Sequence, residues 1–256
     1  MPFIPMPASH TTRRPRAVRP VVLVTGGSGT IGRAICLAFG RAGWNVGVHY
    51  RTSAREAQRT AALVEKHGGI AVLIQADIRD GKQTQEMVNQ LIDRWGRLDV
   101  MVCNAGQATS GLALAQRADE WRGDIETNLS GTFHCLQAAA APMQSRRRGS
   151  IVVIGSYAAM QGSPGQSAYA ASKAGLIGLV KSAAREWGAS GIRVNLIFPG
   201  WQQTKLAGDA FRAAGRFTDH ATGRPPARTQ VAEAVVLLAS MAETSGQVWN
   251  LDSRIL

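Results

Sequence analysis

The sequence predicts an α/β domain of the doubly wound type, with one open, mostly seven-stranded parallel sheet flanked by helices. Two patterns carry this expectation. From residue 20 onward, short runs rich in Val, Ile and Leu alternate with segments of helical periodicity. The strongest runs are apolar at every position rather than at every second one, as strands covered on both faces read. Such alternation joins parallel strands through right-handed helical crossovers. A sheet built this way receives ligands outside the carboxyl ends of its strands.

In chain order the runs are 20–25 (PVVLVT), 45–50 (NVGVHY), 70–75 (IAVLIQ), 98–103 (LDVMVC), 150–155 (SIVVIG), 192–198 (IRVNLIF) and 247–251 (QVWNL). Helices are expected between them near 30–42, 53–67, 80–96, 117–143, 167–189 and 228–241. Residues 201–223 break the rhythm, being rich in Gly, Ala and charge without an apolar period. Their position after the sixth strand makes a substrate lid the functional expectation and a surface insertion the plain one. Residues 1–19 read as a disordered basic tail, because prolines crowd the first twenty positions and disfavour the amphipathic helix of a transit peptide. The domain proper is expected over 20–256.

Hydrophobic residues make up 45% of the 256, enough for one large core and against wholesale disorder. Lys and Arg number 29 against 17 Asp and Glu, so the chain is strongly basic. Residues 1–55 contain no acid and eight Arg, a distribution that suits an anionic cofactor as well as a merely Arg-rich surface. Cys36, Cys103 and Cys135 lie in apolar stretches without a CxxC pair. A disulfide framework or metal site is therefore not expected, and a reducing cytoplasmic location is. No apolar run approaches the roughly 20 residues of a membrane span.

The first run leads directly into Thr25-Gly26-Gly27-Ser28-Gly29-Thr30-Ile31-Gly32 and then a helical pattern. Gly27, Gly29 and Gly32 fit G-x-G-x-x-G, the Rossmann-type dinucleotide loop. Its glycines allow a tight turn, close approach to a pyrophosphate and close helix packing, and the helix N-terminus attracts phosphate. A fold that prefers NAD usually has an acid about twenty residues later for the ribose 2′-hydroxyl. Here the second strand ends His49-Tyr50-Arg51-Thr52-Ser53, with no acid. Arg51 would pair with a 2′-phosphate through charge-assisted hydrogen bonds, which points to NADP(H). The plain alternative is a solvated surface charge.

Tyr169 and Lys173 stand four apart in a helix-forming segment and so share one face. A nearby ammonium favours the phenolate, so the pair is suited to exchanging a proton with an alkoxide. Ser156 follows the fifth run, where active-site groups of such sheets gather, and Asn128 lies in TNLSGTFHC.

Together these segments resemble the classical short-chain dehydrogenase/reductase family from about residue 20 to the C-terminus. The resemblance is carried by TGGSGTIG, Asp77 in QADIRD, Asn104-Ala105-Gly106, Trp121 seven residues before Asn128, Ser156 with Tyr169-x-x-x-Lys173, IRVNLIFPGWQQT and SGQVWNLD. It is similar to NADPH-dependent 3-oxoacyl-[acyl-carrier-protein] reductase-like members. It implies that Tyr169 is the acid/base and that Lys173 lowers its pKa and holds the nicotinamide ribose. Ser156 would orient the carbonyl, and Asn128 would hold a water of the proton relay. The implied cofactor contacts are Gly26, Ser28, Gly29, Thr30, Ile31 and Gly32 of the loop, Tyr50 and Arg51, Asp77 at the adenine, Asn104, Ala105 and Gly106 at the adenosine ribose, Tyr169 and Lys173, and Pro199, Gly200 and Thr204 near the carboxamide. Two departures stand out. Thr30 occupies a glycine position of the pattern TGxxxGxG, and Leu251-Asp252-Ser253-Arg254 stands where many members have Val-Asp-Gly-Gly.

The leading expectation is an oxidoreductase moving a hydride between NADP(H) and a carbonyl or alcohol, such as a ketone or 3-oxoacyl thioester. A homodimer or homotetramer is expected through helices near 117–143 and 167–189. The alternative is a non-catalytic NADP(H)-binding regulatory protein. A nucleic-acid partner is not expected: the tail lacks interleaved aromatics, and Arg146-Arg147-Arg148 suits a helix C-terminus.

Overall fold

A computed structural model describes residues 19–204 and 219–254. All seven expected runs are strands: β1 (Val21–Val24), β2 (Asn45–Tyr50), β3 (Ile70–Gln75), β4 (Val100–Cys103), β5 (Gly149–Ile154), β6 (Ile192–Phe198) and β7 (Val248–Asn250). They form one parallel sheet in the order β3-β2-β1-β4-β5-β6-β7. The continuous apolar runs follow from this placement. β1, β4 and β5 are buried at every residue because helices cover both faces.

Helices α1 (Thr30–Arg41), α2 (Ala54–Lys66) and a late helix, Arg228–Ser240, share one hydrophobic layer around Ile35, Phe39, Val64 and Leu238. Helix α3 (Gly81–Trp95), α5 (Gly131–Ser145) and α7 (Ser167–Trp187) share the other, around Leu91, Leu136, Met143 and Val180. The order reverses between β1 and β4, so the connections leaving these two strands diverge and open a crevice at their carboxyl ends.

Two features depart from the sequence reading. The single helix expected over 117–143 is α4 (Ala118–Ile125), a π-helical turn at Glu126–Ser130, and α5. At this turn the Thr132 hydroxyl donates to the Asn128 carbonyl at 2.7 Å, while the Asn128 side chain bonds outside the helix. Such single π turns are frequent at functional sites. A short helix, α6 (Ala158–Gln161), also follows β5 where none was expected. Of the expected lid, residues 205–218 lie outside the described residues, as does nearly all of the expected tail. Residues 219–223 lie against the C-terminal segment, with the Ala221 N–H donating to the Ser253 carbonyl at 2.8 Å.

The strand–turn–helix closure at β1 depends on a missing side chain. A Cβ at Gly32 would lie 2.2 Å from the Gly26 carbonyl oxygen and 2.7 Å from Asn104 Nδ2. Both obstacles belong to the crevice wall, so α1 would have to move away from β1. Gly32→Ala is expected to cost about 1–3 kcal/mol, the range for overpacking, in reversible urea unfolding. Unchanged stability would show that the loop yields freely.

Candidate active site

The glycine loop is strapped to β2 by a side chain that the sequence reading passed over. Gly26 turns the chain at φ +63°, and its N–H donates to His49 Nδ1 at 3.0 Å. His49 Nε2 then donates to the Ala76 carbonyl at 3.0 Å, and the Gly27 N–H donates to the His49 carbonyl at 2.8 Å. An accepting Nδ1 requires a neutral ring. Burial lowers the His49 pKa to about 4, which keeps it so. The only sequence signal was a His inside an apolar strand run.

Gly29 is the N-cap of α1, and Thr30 opens the helix in backbone that accepts a side chain, so the departure at Thr30 is accommodated. The first-turn N–H groups of a helix have no acceptor within it. No acid stands in this first turn. Beside the helix lies a cavity of about 540 Å³, lined by Gly26, Ser28, Gly29, Thr30, Ile31, Gly32, Tyr50, Arg51, Asp77, Asn104, Ala105 and Gly106. Glycines without side chains at the turn and an acid-free helix N-terminus fit the pyrophosphate of a dinucleotide.

Three further cations reach this region. Arg33 and Arg228 line the cavity, and Arg33 Nη2 pairs with Glu56 at 2.5 Å. Arg79 pairs with Asp77, which the resemblance assigns to the adenine. The Arg79 hydrogen bonds hold the Asp77 carboxyl below its ordinary pKa, and Arg51 acts in the same direction from further away.

A second cavity, of about 230 Å³, contains Ser156, Tyr169, Lys173, Pro199 and Gly200. It shares Ile31, Asn104, Gly106 and Thr204 with the first. Ser156 and Tyr169 both line the second cavity, and the Ser156 hydroxyl works to lower the Tyr169 pKa. Lys173 is buried, donates from Nζ to the Ile154 carbonyl at 2.9 Å, and lies 5.8 Å from the Tyr169 ring centre. Burial lowers the Lys173 pKa to about 8.

Tyr169 departs from the expectation of a lowered pKa. Burial raises it above the ordinary value, the Ser156 hydroxyl opposes this, and the charge of Asp124 adds to it. Asp124 is itself fully buried behind the site, where it accepts from Gln107 Nε2 at 3.2 Å and from the Thr109 N–H and hydroxyl at 3.1 Å. Nothing in the sequence distinguished it from a surface acid of an exposed helix.

Asn128 is fully buried and lines neither cavity. Its Nδ2 donates to the Gln107 carbonyl at 2.9 Å and to Ser172 Oγ at 3.0 Å, while its Oδ1 accepts from the Gln107 N–H at 2.9 Å. The side chain therefore ties the loop after β4 to the helix that carries Tyr169 and Lys173. The cations of the expected lid segment 201–223, Lys205, Arg212 and Arg216, lie outside the described residues. Sequence reasoning also missed Tyr157, Trp201, Gln202, Asp252 and Arg254, all of which line the second cavity. The described residues gather no group of three or more His, Cys, Asp or Glu able to hold a metal, and no helix among them is long and apolar enough to cross a membrane.

Residues 20–214 match the family model described as short chain dehydrogenase. Over 179 residues the chain is 40% identical to the 3-oxoacyl-[acyl-carrier-protein] reductase FabG of Staphylococcus aureus, covering 70% of this chain and 73% of that protein. The 3-oxoacyl-[acyl-carrier-protein] reductase of Synechocystis is 37% identical over 186 residues, 73% of this chain and 75% of that one. A dehydrogenase/reductase of known structure from Sinorhizobium meliloti superposes with a TM-score of 0.84 at 32% identity, over 92% of this chain and 94% of its own.

The buried Lys173 has a cost that can be measured. Below pH 8 the folded protein holds a charged ammonium out of water. Between pH 8 and the ordinary value of 10.5, the unfolded chain binds a proton that the folded one does not, so stability rises across that window. Lys173→Met should therefore stabilise the fold at pH 7 by about 1–3 kcal/mol, after the lost hydrogen bond is counted. The gain should shrink as pH rises through the window. Urea unfolding at both ends measures it, and a variant weaker than the wild type at pH 7 would contradict the account.

Proposed function

The chain belongs to the short chain dehydrogenase family, and from that membership we propose an NADP(H)-dependent oxidoreductase that interconverts a carbonyl and its alcohol, acting on a ketone or 3-oxoacyl substrate. The observation that carries this reading is the convergence of Tyr169, Ser156 and Lys173 in a cavity that shares a wall with the glycine-lined one. The curated relatives named above are reductases of 3-oxoacyl groups on acyl-carrier protein, which supports an acyl thioester as one candidate substrate.

When bound, the nicotinamide supplies or accepts the hydride. Ser156 and Tyr169 direct their hydroxyls at the substrate oxygen, and Tyr169 gives that oxygen its proton. Its raised pKa keeps the phenol protonated at neutral pH, the form needed to reduce a carbonyl. Lys173 holds a positive charge behind the phenol and, in this reading, the ribose hydroxyls of the cofactor. Asn128 is a positioning residue that keeps the loop after β4 in register with α7.

A homodimer or homotetramer is supported by Trp121 on α4 and Phe133 on α5, both large, apolar and exposed. A role away from nucleic acid is supported by the arginine run: Arg146 pairs with Asp99, and Arg147 bonds the Ala189 carbonyl. Buried free thiols at Cys36, Cys103 and Cys135 suit the cytoplasm.

Tyr169→Phe keeps the ring and removes the proton. Turnover of a ketone, read as loss of NADPH absorbance, should fall by at least ~100-fold, while NADPH binding by fluorescence titration changes little. Activity within a few-fold of the wild type would remove Tyr169 from the chemistry.

Cofactor choice is the second test. Tyr50 and Arg51 line the larger cavity at the end of β2, the place where NAD-preferring members carry an acid. Hydrogen bonds between charged groups contribute roughly 1.5–3 kcal/mol, or about ten- to a hundredfold in affinity. NADPH should bind more tightly than NADH by that factor, and Tyr50→Asp with Arg51→Ala should reverse the order. Equal binding of both cofactors by the wild type would mean that Arg51 makes no such contact.

A further inference from the structure

Beyond the hydroxyls and ammonium of the chemistry, the second cavity holds one more charged pair, Asp252 and Arg254. It comes from the C-terminal segment in which the chain departs from the family's glycine-rich ending. Arg254 Nε donates to Asp252 Oδ1 at 2.9 Å and Nη2 donates to Oδ2 at 2.6 Å. The guanidinium carbon lies 4.1 Å from the centre of the Tyr157 ring and 5.4 Å from that of Trp201. Tyr157 adjoins Ser156, and Trp201 adjoins Gly200, so the cation is fixed to the two segments that flank the reacting groups.

The pair is asymmetric. The Asp252 side chain is fully buried, whereas 21% of the Arg254 side chain is exposed. Asp252 occupies one edge of the guanidinium. Among the described residues, no protein acceptor meets the N–H groups of Nη1 or the outer N–H of Nη2. These form the fork that receives two oxygens side by side. Clamped below, stacked on aromatic rings and open on its outer edge, the arginine is organised before a ligand arrives, which lowers the cost of binding.

We infer that Arg254 is the specificity-determining residue of the carbonyl cavity and that the substrate is a small oxo acid, its carboxylate on the Arg254 fork and its carbonyl at Tyr169 and Ser156. The inference rests on the reductase reading above and narrows it. A carboxylate suits the site better than a phosphate. Lys173, the other cation lining the cavity, is buried, bonded to the Ile154 carbonyl and assigned above to the cofactor ribose, and Asp252 and Asp219 already offset part of the arginine's charge. A cavity of about 230 Å³ also suits a short substrate.

The test compares oxo acids of short chain, such as 4-oxopentanoate, with their methyl esters, which keep the carbonyl and lose the charge. With NADPH, wild-type kcat/KM should favour the acid by about ten- to a hundredfold. In Arg254→Gln that ratio should collapse toward one, mainly through KM for the acid. Arg254→Lys, which keeps the charge and loses the fork, should fall between. A wild type that treats acid and ester alike, or a glutamine variant that loses both equally, would overturn the inference and leave the reductase reading intact. Absence of NADPH oxidation with every ketone would instead defeat the reductase reading. Calorimetric titration with the same acid and ester still decides the role of Arg254: selective binding of the acid, lost in Arg254→Gln, supports it, and no binding of the acid to the wild type overturns it.

Discussion

The Thr25 hydroxyl sits where β1 and β4 diverge, and it holds the mouth of the crevice together. It accepts from the backbone N–H groups of Asn104 and Ala105 at 2.9 and 3.0 Å. The Asn104 side chain returns the connection, donating to the Thr25 and Gly26 carbonyls at 2.9 and 3.3 Å. Two loops that belong to different halves of the sheet are thereby kept in register. One carries the glycines that line the larger cavity, and the other forms the wall shared with the smaller one. In this interior such polar groups cost free energy unless paired, so the latch defines one arrangement of the crevice rather than several.

A second polar system lies deeper and serves the chemistry. Asn128, Gln107 and Ser172 join the loop after β4 to α7, and Asp124 holds Gln107 and Thr109 from behind. The π turn at Glu126–Ser130 lies at the root of this network. Lys173 adds a charge held out of water. Folding would be easier with apolar groups at several of these positions. Their retention is the usual trade between stability and an organised site.

The strands and the glycine loop were legible in the sequence because their signals are local: a run apolar on both faces, and glycines between a strand and a helix. The Tyr169–Lys173 pair was legible because four residues make one helical turn. The π turn was not, since an added backbone residue changes no periodicity that a window over 117–143 can register. His49 and Arg254 were missed for a related reason. Their meaning lies in partners far along the chain or in ring stacking: His49 meets Gly26 and Ala76, and Arg254 meets Tyr157. Asp77 was found as a residue, but its capture by Arg79 two positions later required side-chain geometry.

The strap at His49 ties the loop to the acidity of the surroundings. The ring holds Gly26 only while Nδ1 lacks a proton, and burial keeps it so down to about pH 4. An unfolded chain titrates the same ring near 6.5, so the contribution of His49 to folding is complete above that value and declines as pH falls toward 4. A protonated ring would turn an N–H toward the Gly26 N–H and set two donors against each other. Acid would thus act directly on the turn between β1 and α1, where the ring would let go of Gly26.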